Sequence, residues 1–174
     1  MLKKSLLVAA LALALGIGAA AAGEQNVPNR LATAKIGEWA TYRIPNGYQQ
    51  KLTVIKRDGD GPEAQVTVRV DNIYNNEVVN TVEFARDAGN PAEPPRIEFG
   101  EGVEVEVDVG NKLVSVKGRN IEATVVEIDY EYGDDDIDDE EVKWYVSAEI
   151  PVFGIIKKEE NDVVSFELVD YGEN

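Results

Sequence analysis

From Lys35 onward, apolar and polar side chains alternate with a period of two, and a turn signal breaks the alternation roughly every ten residues. Val66, Val68 and Val70 alternate with Thr67 and Arg69, and VEVEVDV at 103–109 is the strictest run. Successive side chains of a strand point to opposite faces, so such a run buries one face and wets the other. A helix does not fit it, because helical neighbours recur at three and four residues. The runs at 37–44, 52–55, 66–70, 77–85, 103–109, 112–118, 121–132, 142–150, 152–159 and 163–171 read as strands. Turns are expected at Pro45-Asn46-Gly47, at 57–61, at Asn75-Asn76, at Gly110-Asn111, at Pro151 and at Glu160-Asn161-Asp162. DAGNPAEPP at 87–95 has too many prolines for a central strand and reads as a connector between two halves of a sheet. The expected fold is all-β: a single antiparallel sandwich, barrel or strongly curved sheet of about 8–10 strands, with short helices at most.

The N-terminus has a different grammar. Lys3 and Lys4 precede an apolar core from Leu6 to Leu15, and Ala19 to Ala22 supply small residues for cleavage before Gly23. Residues 1–22 therefore read as a secretory signal peptide, and the expected address is periplasmic or extracellular. The apolar stretch is interrupted by Gly16 and Gly18 and falls short of the ~20 residues a spanning helix needs. No cysteine is present to carry a lipid, so no stable membrane anchor is expected after cleavage. Residues 23–34 read as a polar lead-in with one helical turn at 29–34, and residues 35–174 as one β-domain.

Composition removes many chemistries. Without histidine or cysteine there is no Ser-His-Asp triad, no Cys-His dyad, and no thiolate or imidazole metal site. Phosphate-loop and nucleophile-elbow motifs are missing too. The 33 acidic residues outnumber the 17 basic ones, for a net charge of −16. Nucleic acid is therefore excluded as a partner, because phosphate binding needs clustered lysine and arginine.

Two constellations remain. GDDDIDDEE at 133–141 places seven acids in the eight residues from Asp134 to Glu141. Alternating acids suit calcium, which takes six to eight hard oxygen ligands. Asp134, Asp136, Asp138 and Glu141 are the candidate metal ligands, and calcium is the one candidate cofactor. The loop lacks the glycine and terminal glutamate of an EF-hand, and a solvated, self-repelling hairpin loop is the competing reading. The second constellation is aromatic. Trp39, Tyr42, Trp144 and Phe166 sit in alternating strands, either as core or as the lining of a cavity for an apolar guest. The apolar run Ile150, Val152, Phe153, Ile155, Ile156, broken by Pro151 and Gly154, is either a buried corner or the lip of such a site. Trp39, Tyr42, Trp144 and Phe153 are the candidate ligand contacts.

KIGEWATYRI at 35–44 resembles the G-E-W-x-x-Y opening of some periplasmic domains. KWYVSAEIPVFGIIKKE at 143–159 and FELVDYG at 166–172 resemble the last strands of uncharacterised secreted bacterial β-domains. These pieces are similar to curved-sheet periplasmic lipoprotein carriers, and the resemblance implies a concave apolar sheet that accepts acyl chains. The expected function is non-enzymatic binding or envelope association, with an apolar small molecule or an envelope protein as partner. Two alternatives stand beside it: a calcium-stabilised extracellular or adhesive domain, and a carboxylate-dependent hydrolase with two acids facing across a cleft.

Overall fold

The computed structural model describes residues 29–89, 103–132 and 140–174. They form one nine-stranded antiparallel sheet in the order β4-β3-β2-β1-β9-β8-β7-β6-β5. The strands are β1 (Glu38–Arg43), β2 (Gln49–Asp58), β3 (Gln65–Tyr74), β4 (Glu77–Asp87), β5 (Val103–Val116), β6 (Arg119–Tyr132), β7 (Glu140–Val146), β8 (Ile155–Glu160) and β9 (Val163–Glu173). The fold is the expected all-β, strongly curved sheet, and the sheet is not closed. The chain runs outward from β1 to one edge at β4, resumes at the other edge with β5, and returns to β9, which pairs with β1. Most of the proline-rich connector, within residues 90–102, and the expected signal peptide at 1–22 lie outside the described residues. No helix among the described residues is long and apolar enough to cross a membrane.

Tight turns set the register. Asn75-Asn76, Lys117-Gly118 and Asn161-Asp162 all adopt positive φ at both positions. Two-residue hairpins favour that geometry because it matches the twist of the flanking strands. The expected turn at Gly110-Asn111 is absent: β5 runs unbroken from Val103 to Val116. Gly110 and Asn111 stand opposite Val125 and Thr124 of the equally long β6, which supplies a ladder partner throughout. The expected strands at 142–150 and 152–159 are shorter than the alternation suggests, and residues 147–154 form a buried corner between β7 and β8.

That corner fills the interior. Ile150, Val152, Phe153, Ile155 and Ile156 join Tyr42, Leu52, Val54, Val66, Val68, Ile121, Ala123 and Phe166 in one core. Ser147 donates its backbone N–H to the Gly154 carbonyl at 2.7 Å and closes the corner. Gly154 has φ +77°, and a Cβ there would lie 2.8 Å from the Ser147 oxygen. The lead-in ends in a 3-10 turn, Arg30–Thr33, whose Leu31 is buried in the same core. Arg57 holds this turn by donating to the carbonyls of Leu31, Ala32 and Ala34 at 3.0–3.3 Å.

Candidate functional site

On β6, one side of the strand changes character along its length. Ile121 and Ala123 are fully buried, Val125 is half-buried, and Glu127 and Asp129 continue on the same side. The core ends there and a polar groove of about 640 Å³ begins. Cross-strand register fixes its rows. Asp108, Glu127, Lys143 and Glu159 stand side by side on β5, β6, β7 and β8. Gly110, Val125, Tyr145 and Lys157 form the next row, and Lys112 extends the β5 wall. Gly110 contributes no side chain, and a Cβ there would meet nothing within 4 Å.

Two ionic clusters organise the groove. Lys143 Nζ lies 2.7 Å from Glu141, 3.5 Å from Glu127 and 3.7 Å from Asp162. The hydrogen bond to Glu141 raises the Lys143 pKa above its ordinary value; burial opposes this, and the Glu127, Glu141 and Asp162 charges reinforce it. In the other cluster, Tyr145 donates its hydroxyl to Glu159 at 2.7 Å, and Lys157 bonds the other Glu159 oxygen at 2.5 Å. The Lys157 ammonium also lies 4.1 Å from the Tyr145 ring centre. Burial would raise the Glu159 carboxyl, but the Lys157 and Tyr145 hydrogen bonds outweigh it and hold Glu159 below its ordinary range. Tyr145 is pushed up to about 12, by burial first and then by its bond to Glu159. Glu127 is raised, by burial first; Lys143 opposes this, and the Glu141 and Asp129 charges add to it. The two carboxyls of the groove are thus shifted in opposite directions, Glu127 up and Glu159 down.

A third row, Glu106, Asp129 and Glu141, borders the groove. Glu127, Asp129 and Glu141 bring one oxygen each within 4.8 Å of one another, which suits a hard cation such as calcium. Lys143 already supplies a positive charge beside two of them. Of the four expected metal ligands, Glu141 belongs to this group; Asp134, Asp136 and Asp138 lie outside the described residues.

Of the expected ligand contacts, Tyr42 and Phe153 belong to the core, Trp144 packs against it, and Trp39 lies apart. Tyr42 is fully buried, stacks on Phe166 with ring centres 4.1 Å apart, and donates its hydroxyl to the Ile155 carbonyl at 3.2 Å. Burial pushes its pKa up. Phe153 is buried and faces Phe84 across 6.4 Å. Trp144 packs against the core from the side of β7 opposite Tyr145, under the Lys158 ammonium at 5.1 Å. Trp39 lies on the side of β1 opposite Tyr42, under Lys51 at 4.5 Å. None of the four lines the groove. Sequence reasoning missed Glu127, Lys143, Tyr145 and Glu159. The available signal was the side of β6 that passes from Ile121 and Ala123 to Glu127 and Asp129, an apolar stripe that turns acidic without leaving its face.

No family model matches this chain, and no significant match appears among curated proteins or solved structures.

Proposed function

We propose that this chain is a non-enzymatic secreted or periplasmic binding domain that meets its ligand on the polar face of β5–β8. One observation carries this reading. Among the described residues, Tyr42, Phe166 and the corner from Ile150 to Ile156 pack together in the interior, where an apolar guest would sit, while the open groove is lined mainly by charged side chains. Its volume of about 640 Å³ falls within the usual range of ligand sites. Titration with a fluorescent fatty acid tests the choice between interior and face. The expected result is no saturable uptake. Saturable uptake that quenches Trp144 and is abolished by enlarging Phe153 to tryptophan overturns it.

A second reading, a calcium-stabilised domain, is favoured by the carboxylates of Glu127, Asp129 and Glu141. Melting with millimolar calcium tests it: the rise in midpoint must exceed that from sodium salt at equal ionic strength.

A further inference from the structure

We propose that the β5 edge receives an extended basic peptide segment, which adds a tenth strand to the sheet beside the groove. The proposal rests on the reading that this domain binds through the polar face of β5–β8. The first argument is the edge itself. β5 ends the sheet, and no described strand lies beyond it. All fourteen of its residues pair with β6 in continuous register, without a bulge. Every second residue of such an edge aims its N–H and C=O away from its one neighbour. Natural edges are normally blunted by shortness, bulges, proline or charged side chains, lysine above all. From Val103 to Asn111, β5 is long and has no bulge, proline or lysine; its charges are all acidic, so they guard the edge against another acidic strand and not against a basic one. At the opposite edge, β4 meets β3 through a register shift between Asn72 and Ile73.

The second argument is charge. On the groove side, Glu106 and Asp108 stand exposed along this edge, backed on β6 by Asp129 and Glu127. Glu106 and Asp108 have no ion-pair partner among the described residues. Side chains directly opposite on an added strand would come within about 5 Å of them. Acidic residues there would be repelled, and lysine or arginine attracted. The third argument is space. The groove lies directly inward of the edge, with Asp108 to Lys112 as its outer wall. A lysine on the added strand can lay its methylenes along Val125 and reach Glu127. Main-chain bonds would supply affinity, and the carboxylate row would supply selectivity.

The test uses the full chain labelled with 15N and a blocked heptapeptide, KVKVKVK. The expected result is saturable shifts of the β5 amides with slowed hydrogen exchange there, and no response to EVEVEVE. A copy methylated on its backbone nitrogens keeps every charge but loses the strand donors, and it should not bind. The double variant Glu106→Gln/Asp108→Asn should weaken binding roughly ten-fold at low salt. Equal binding by the methylated copy, or no saturable shift at all, overturns the proposal. Shifts at Lys143, Tyr145 and Glu159 without protection of β5 overturn strand addition but leave the polar-face reading standing. Shifts confined to β1–β4 overturn both.

Discussion

Replacing Lys143 with methionine tests the electrostatic design of the groove. Methionine keeps most of the aliphatic stem, so the change is chiefly the loss of one charge. The ammonium lies 2.7 Å from Glu141 and 3.5 Å from Glu127; Asp162, at 3.7 Å, has a side chain 88% exposed and contributes little. The two closer partners are 29% and 34% exposed, which places them among partly screened pairs. Such pairs contribute up to about 1 kcal/mol each. The oxygens of Glu127, Asp129 and Glu141, within 4.8 Å of one another, would then repel without a counter-charge. Together these effects should destabilise the domain by about 1–2 kcal/mol, or roughly 3–8 °C in melting midpoint. Differential scanning fluorimetry at pH 7 and low salt reads this directly. Screening in 1 M salt should shrink the difference, because the Debye length falls to about 3 Å. Adding Glu141→Gln to the variant should recover part of the loss. A Lys143→Met protein as stable as the parent at low salt, or a deficit that salt leaves untouched, refutes the reasoning.

Gly154→Ala should cost about 2–4 kcal/mol, because φ +77° is unfavourable for alanine and its Cβ would fall 2.8 Å from the Ser147 oxygen. Gly118→Ala, at φ +75° with nothing within 4 Å, should cost only about 1 kcal/mol; equal losses in urea melts would show that the corner is not close-packed. On the alkaline side, two groups lose their contributions in sequence. Tyr145 is a neutral acid with its pKa raised from 10.0 to about 12, so stability falls as pH rises across that interval. Lys143 is raised from 10.5, so its contribution is complete below that value and lost as pH rises through its folded pKa. Spectrophotometric titration should show late tyrosine ionisation from the buried Tyr42 and Tyr145, and Tyr145→Phe should remove one late step. A Tyr145→Phe protein whose late steps are unchanged would contradict the burial of Tyr145.

The strands were legible because alternation reports a half-buried sheet without reference to partners. Val66, Val68 and Val70 face the core as their spacing implies. Asn75-Asn76 and Asn161-Asp162 turn because asparagine and aspartate tolerate positive φ. Gly110-Asn111 misled because turn chemistry is permissive rather than compulsory, and a long partner strand kept both residues in the ladder. The corner at 147–154 exceeded what periodicity can express, since seven consecutive buried residues from Ile150 to Ile156 have no alternation left to read. The groove was harder still. Glu127, Lys143 and Glu159 are sixteen residues apart at each step in sequence, and only antiparallel pairing brings them into one row. Counting acids drew attention to 134–141 instead, because local density is visible in a sequence and cross-strand rows are not.

Calcium binding and strand addition, if both occur, would make competing demands on two adjoining rows of carboxylates. Glu127, Asp129 and Glu141 would be neutralised by a dication, while Glu106 and Asp108 beside them would attract a basic strand. Neutralising the inner row weakens the negative potential at the edge, so each ligand should weaken the other by the same factor. The KVKVKVK titration repeated in millimolar calcium measures that factor, with sodium salt at equal ionic strength as the control. A loss of peptide affinity beyond the control, matched by an equal loss of calcium affinity in saturating peptide, places both on the same face. Lys143→Met should deepen the antagonism, because without the ammonium the cation faces no internal competitor for Glu141. Peptide affinity that calcium leaves unchanged in both proteins would mean that the inner carboxylates bind no calcium, or that the peptide docks away from β5. The shift map for the β5 amides distinguishes those two outcomes.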